Sequence, residues 1–186
     1  VVHESFEKCY KNNSKFDLEK LSQIFMQTAQ NANLGKLDIK LMLLNFKNLA
    51  KEFKNLQNTG FVCTACESEL ENEFCGVKIK GKIDRIDKNE QSGEYLLLDY
   101  KTGKTDTKSF QLAFYEALFP YESFSKFIFF KEGVIKEADE KFSKENLREI
   151  IENLKLEFQN EVNFERTQKS GSCAYCPYKI ICKGEL

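Results

Sequence analysis

Residues 94–103 read EYLLLDYKTG. A leucine run bounded by glycine-containing turns is the mark of a buried strand. This one ends on an acid and a base two residues apart, Asp99 and Lys101. Side chains at i and i+2 share one face of a strand. A carboxylate and an ammonium therefore emerge side by side where the chain leaves the core. A surface ion pair, worth ~0–1 kcal/mol, is one account of them, and half of a reaction centre is the other.

The preceding strand bears on that choice. In GKIDRIDKNEQSGEYLLLD, residues 81–99, a turn centred between Gln91 and Ser92 sets Ile86 opposite Leu97 and Asp84 opposite Asp99. Cross-strand partners have Cβ atoms about 4.5–5.5 Å apart on one face. Two carboxylates so placed repel unless something positive lies between them. Hard divalent ions such as Mg²⁺ are held by one or two carboxylates plus water and substrate phosphates. A register slip of one residue would send the two acids to opposite faces.

Outward from this hairpin the period of the apolar pattern changes. Three helices are expected before it. The first, 2–11, carries Val2, Phe6, Cys9 and Tyr10. The second, 17–32, carries Leu18, Leu21, Phe25 and Ala29. The third, 37–56, turns Leu41, Leu44, Phe46, Leu49 and Phe53 to the core and stops at Gly60. A β meander covers 61–101, with Val77, Ile79 and Ile83 alternating with Lys78, Lys80, Lys82 and Asp84. A helix follows at 107–119, then strands at 125–130 and 133–138. A long amphipathic helix at 143–160 carries Leu147, Ile150, Ile151, Leu154 and Phe158. The order predicts an α+β (mixed α/β) fold, a central mixed sheet flanked by helices. The expected layout is one domain over 1–186: a helical part at 1–58, the sheet and its helices at 59–160, and a cysteine-rich tail at 161–186.

The totals narrow the function classes. The chain has 186 residues, with 28 basic and 29 acidic side chains, so net charge lends no support to a nucleic-acid partner. No apolar run reaches the roughly 18–20 residues of a membrane span, and no signal peptide opens the chain. The expectation is a soluble, cytoplasmic protein without a membrane partner. The chain opens at Val1 and is expected to be a fragment of a longer protein. No G-x-x-x-x-G-K-[ST] loop occurs. Any ATP-driven step would belong to another part or to a partner.

GKIDRID, LLLDYKTG and QLAFYEAL together resemble the RecB-type branch of the PD-(D/E)XK nuclease superfamily, most closely the C-terminal nuclease domains of AddB-type helicase–nuclease subunits. That branch has a histidine on a first helix, a G-x-x-D strand, a D-Y-K strand and a helix with Q-x-x-x-Y. Here these are His3, Asp84, Asp99 with Lys101, and Gln111 with Tyr115. The resemblance implies a restriction-endonuclease-like core that hydrolyses DNA phosphodiesters with Mg²⁺ or Mn²⁺ as an exonuclease. It implies work on broken DNA ends in repair and recombination, beside a helicase partner subunit. Asp84, Asp99, the Tyr100 carbonyl and His3 would ligate the metal. Lys101 would position the attacking water, and Gln111 and Tyr115 would support the site or touch the DNA backbone. Glu67 matches an upstream acid of the family, with Glu69 and Glu71 as competitors. Two other readings remain: a CRISPR-associated nuclease, which shares these motifs and the cysteines, and a catalytically silent DNA-binding scaffold, against which the intact Asp84, Asp99 and Lys101 argue.

Seven cysteines in one chain favour metal or cluster chemistry over disulfides in a reducing compartment. Cys173, Cys176 and Cys182 are spaced C-x₂-C-x₅-C, which suits Zn²⁺ or an iron–sulfur cluster. The resemblance implies a [4Fe–4S] cluster whose fourth cysteine lies before residue 1; Cys9 is a poor substitute. Cys63 and Cys66 form a second C-x-x-C. Their odd separation puts them on opposite faces of a regular strand, so a turn would be needed to join them. With Cys75 nearby, a small Zn²⁺ site is one reading of them; buried free thiols are the expectation.

Overall fold

The computed structural model describes residues 1–11, 14–159, 171 and 176. The chain divides into two compact units, Val1–Ile151 and Glu152–Leu186. Three helices come first, α1 (Val2–Tyr10), α2 (Leu18–Asn31) and α3 (Lys36–Asn58). Strands β1 (Phe61–Phe74), β2 (Val77–Asn89) and β3 (Tyr95–Lys101) follow, then helix α4 (Gln111–Leu118). Strands β4 (Ser123–Phe129) and β5 (Val134–Lys136), a 3₁₀ turn at Glu140–Phe142 and helix α5 (Lys144–Gln159) come next among the described residues.

The five strands form one sheet in the order β1-β2-β3-β4-β5. Only the β3–β4 pair is parallel, because α4 lies between them and carries the chain back. Strand β3 is covered on both faces, which is why its sequence is continuously apolar instead of alternating. Leu96, Leu98 and Tyr100 meet the α1–α3 layer, and Leu97 meets the α4 side.

The α1–α3 side is an aromatic core. Phe6 is fully buried, stacks on Tyr100 with centroids 4.6 Å apart, and meets Phe46 edge-on at 5.7 Å. Offset and T-shaped ring pairs of this kind add ~0.5–1.5 kcal/mol each beyond area burial. Phe6 thereby fastens the short α1, and with it His3 one turn earlier.

Two sequence expectations change here. Leu41 and Leu44 do not face the core: they are 52% and 54% exposed. The buried stripe of α3 runs through Ile39, Met42, Phe46, Leu49 and Phe53, and Leu44 lies about 200° round the helix from Phe46 at 100° per residue. Helix α4 also begins at Gln111, not 107. The segment before it is held by side chains instead: Asp106 Oδ1 accepts from Lys108 N at 2.9 Å, and Thr107 donates to Asp139. Such local bonds compete with helix formation.

The β2–β3 ladder pairs Ile86 with Leu97 and Arg85 with Leu98, the register predicted from the turn. Among the described residues, no helix is long and apolar enough to cross a membrane.

Candidate active site

Asp84 and Asp99 stand at the next step beyond the last β2–β3 pair, at the C-terminal end of β3. They do not meet bare. Tyr115 Oη on α4 lies 3.3 Å from Asp84 Oδ1 and 3.1 Å from Asp99 Oδ1, so one hydroxyl serves both carboxylates. The Tyr100 N–H donates to Asp84 Oδ2 at 2.9 Å. Gln111 Nε2 donates to Asp99 Oδ1 at 2.5 Å. Lys101 Nζ donates to Gln111 Oε1 and lies 2.8 Å from Asp99 Oδ2. That last contact is an ion pair, and Oδ2 accepts no hydrogen bond.

Burial raises the Asp84 carboxyl pKa above the ordinary aspartate value; the Tyr100 N–H works against this, and the Asp99 charge adds to it. Burial also raises the Tyr115 phenol, and the charges of Asp99 and Asp84 push it the same way. The hydroxyl is therefore a proton donor to the acids across the physiological range.

Helix α1 and strand β1 bring the remaining groups. His3 Nε2 is 3.2 Å from the Tyr100 carbonyl oxygen and 3.7 Å from Asp84 Oδ2, while Nδ1 is 3.7 Å from Glu67 Oε1. Potential ligand atoms of His3, Glu67 and Asp84 all lie within 4.8 Å of one another. Glu67 Oε1 is buried without a hydrogen bond. Its other oxygen takes Lys82 Nζ at 2.5 Å, and that carboxylate raises the Lys82 ammonium pKa. A set of two carboxylates, an imidazole and a backbone carbonyl, one oxygen of it left bare, fits a hard divalent cation.

The sequence did not separate Glu67 from Glu69 and Glu71; the structure does. Glu69 and Glu71 are exposed and sit opposite Lys82 and Lys80, as Glu73 sits opposite Lys78. The lysine stripe of β2 is thus an exposed face with acids opposite it. Glu67 instead has φ +51°, a left-handed conformation uncommon for a side chain like this one. No cross-strand pair forms at Glu67 and Asp84, while the ladder continues on either side. On one side of that break Arg85 lies under Tyr10 of α1; on the other, Ile83 packs in the cluster of α4. Strand β2 turns over at Asp84. Gly81 of the GKID stretch lets α4 lie close, since a Cβ there would be 3.2 Å from Leu118 Cδ2. Neither the break nor Lys82 as a partner of Glu67 had a signal in the sequence.

Beside the site a cavity of about 370 Å³ is lined by Lys80, Lys82, Phe114, Tyr115 and Leu118. Phe114 is half-exposed there.

The cysteines divide. Cys63 and Cys66 come together, Sγ to Sγ 3.5 Å, through a β-bulge instead of the turn the sequence demanded: the β1–β2 register shifts between Cys63 and Ala65. Of the C-terminal triplet, Cys176 is half-buried and unbridged; Cys173 and Cys182 lie outside the described residues.

A family model for the PD-(D/E)XK nuclease superfamily matches residues 1–183. No curated protein sequence matches the chain. A solved structure titled "Crystal structure of SSO0001" aligns over 99% of this chain and 81% of its own, at 22% identity and a TM-score of 0.36, a likeness too distant to carry an argument. The family match spans almost the whole chain, and the chain belongs to the PD-(D/E)XK nuclease superfamily.

Proposed function

We propose that this chain is a Mg²⁺- or Mn²⁺-dependent deoxyribonuclease, and that Asp84, Asp99, Lys101, Glu67 and His3 are its working residues. One observation carries the reading. The ligand atoms of His3, Glu67 and Asp84 converge around a buried carboxylate oxygen with no hydrogen bond, beside the Asp99–Lys101 pair. His3, Glu67, Asp84 and the Tyr100 carbonyl would hold the ion, with Asp99 Oδ2 available to complete the set. Bound there, such an ion supplies Lewis-acid polarisation of a phosphoryl oxygen and acidifies water.

The chain's own groups do the rest. Gln111 and Tyr115 fix Asp99, and Gln111 also fixes the Lys101 ammonium. Lys101, so held, orients the attacking water and offsets negative charge growing on the phosphoryl oxygens. In-line attack breaks the bond from phosphorus to the 3′ oxygen and leaves a 5′-phosphate and a 3′-hydroxyl. The half-exposed Phe114, beside Lys80 and Lys82, offers a face on which an unpaired base can stack. That favours a frayed or single-stranded end over closed duplex.

The finer reading is an exonuclease of the AddB type, processing double-strand breaks in the cytoplasm beside a helicase partner. The order of His3, GKID, DYK and Q-x-x-x-Y along the chain supports it. A [4Fe–4S] cluster on Cys173, Cys176 and Cys182 belongs to the same reading and is supported by their spacing alone.

The test is degradation of single-stranded DNA with Mg²⁺ or Mn²⁺, wild type against Lys101→Ala. Activity abolished by EDTA and by the substitution is expected. Activity that survives either one contradicts the assignment.

A further inference from the structure

Just before Glu67, strand β1 carries a second feature that the hydrolytic chemistry does not use. Cys63 and Cys66 stand three residues apart, and on a regular strand their side chains would diverge. The bulge between Cys63 and Ala65 brings the sulfurs to 3.5 Å. A disulfide bond is about 2.05 Å long, so closure needs only a local movement of β1. The sulfurs line a cavity of about 270 Å³ together with Glu7, Tyr10, Lys11 and Thr64. Cys66 is half-buried and Cys63 buried, so a small oxidant entering the cavity meets Cys66 first.

The next residue is Glu67, with φ +51°. A non-glycine residue in that region is strained and persists only where its surroundings over-determine it. Here the determinants are Lys82 on one carboxylate oxygen and His3 near the other. A shift of Cys66 pulls directly on this strained position.

We infer that Cys63 and Cys66 form a reversible disulfide whose closure displaces Glu67 and lowers the divalent-metal affinity of the His3–Glu67–Asp84 cluster, making the nuclease site redox-sensitive. This rests on the metal-site reading given above. The oxidant is a small-molecule disulfide, RSSR. The Cys66 sulfur attacks it, forming Cys66–S–SR and releasing one RSH. The Cys63 sulfur then attacks Cys66 Sγ, forming the internal bond and releasing the second RSH. Two protein thiols are oxidised, one RSSR is reduced, and the two thiol protons leave on the two RSH molecules.

The experiment uses the full chain in two arms, one in dithiothreitol and one in glutathione disulfide. Non-reducing peptide mapping locates cross-links, and Mn²⁺ titration by electron paramagnetic resonance reads affinity. The expected result is a Cys63–Cys66 cross-link with Mn²⁺ affinity roughly tenfold or more lower, as when a supporting residue of a metal site is lost. Dithiothreitol reverses both, and Cys66→Ser and Cys63→Ala keep the higher, thiol-form affinity in both arms. Cys63 and Cys66 remaining thiols while other cysteines react overturns the proposal, as does a cross-link with unchanged affinity. A reduced wild-type chain that binds no Mn²⁺ overturns the metal reading itself, and that arm is read separately.

Discussion

Strand β2 carries two buried charge clusters one residue apart, on opposite faces of the sheet, and they are built on opposite plans. Under α1, Arg85 and Asp87 are 1% and 0% exposed. Both Asp87 oxygens are taken by Arg85, Nε to Oδ1 at 2.5 Å and Nη2 to Oδ2 at 2.8 Å. Nη1 donates to Tyr10 Oη at 2.7 Å, and the guanidinium lies over the Tyr10 ring. Every strong group in that cluster has a partner. Under α4, Asp84, Asp99 and Glu67 bring three acids together against Lys101 and Lys82 at the rim, and Glu67 Oε1 and Asp99 Oδ2 lack hydrogen bonds. A closed charge cluster serves to hold the structure together. An open one of the same residue types is held by its surroundings in a state that a cation would relieve.

The largest effect expected from this contrast is on stability. Arg85→Ala leaves Asp87 charged, buried and alone, and should cost about 3–5 kcal/mol, read by urea denaturation. Replacing both residues, Arg85→Met with Asp87→Leu, should recover most of that loss. If the double variant is no better than the single, the closed cluster is more than a self-satisfied pair.

The open cluster should respond the other way. Asp84→Asn removes the charge that burial and Asp99 disfavour, and the amide oxygen can still accept from the Tyr100 N–H. The variant should lose nuclease activity by about 10²-fold or more, yet without metal it should melt higher than metal-free wild type at neutral pH. The sign follows from the raised Asp84 pKa. A carboxyl so raised contributes stability that is present below its unfolded value and lost as pH rises through its folded value. The substituted amide avoids that loss.

The sequence showed part of this contrast. Strand parity placed Asp84 and Asp99 on one face and Lys101 beside them, and both i, i+2 geometry and turn position are local facts. Asp87 has the same residue type three positions on, and parity sends it to the other face. Parity also sets Arg85 beside Asp87, two residues apart on one face, but it does not show that the pair is desolvated, because that depends on Tyr10 and Phe53 packing over the guanidinium. Glu67 was one of three nearly equivalent acids. Its selection depends on a backbone inversion that has no residue signature, glycine being the usual marker for positive φ. A helix rich in leucine offers more than one apolar stripe, and only the neighbouring aromatics select the one through Phe46 over the one through Leu41 and Leu44. Strand periodicity separates the two sulfurs of the C-x-x-C pair, and the bulge suspends that periodicity.

Two smaller effects sharpen the comparison. Phe114→Ala should weaken single-stranded DNA binding by about 1–3 kcal/mol, measured by fluorescence anisotropy, and leave thermal stability almost unchanged because the ring is half-exposed. Equal loss on a blunt duplex would remove the stacking role. Glu116 is a control acid outside both clusters. Burial raises its carboxyl pKa, against a Ser125 hydrogen bond and the Lys144 charge. Glu116→Gln keeps the acceptor for Ser125 and should be more stable than wild type at pH 7, by less than about 1 kcal/mol given partial screening. The gain should vanish as pH falls below the ordinary glutamate range, followed by melting temperature against pH.

The most direct measurement is a Mn²⁺ titration of the reduced chain, following melting temperature and the electron paramagnetic resonance signal, with Asp84→Asn and Glu67→Gln alongside. The open cluster predicts that Mn²⁺ raises the melting temperature of the wild type, reversing the advantage that Asp84→Asn holds without metal, and that both variants bind at least roughly tenfold more weakly. A wild type that takes up no Mn²⁺, or variants that bind it as well as wild type does, would contradict the claim that the unsatisfied acids on this face of β2 form a metal site.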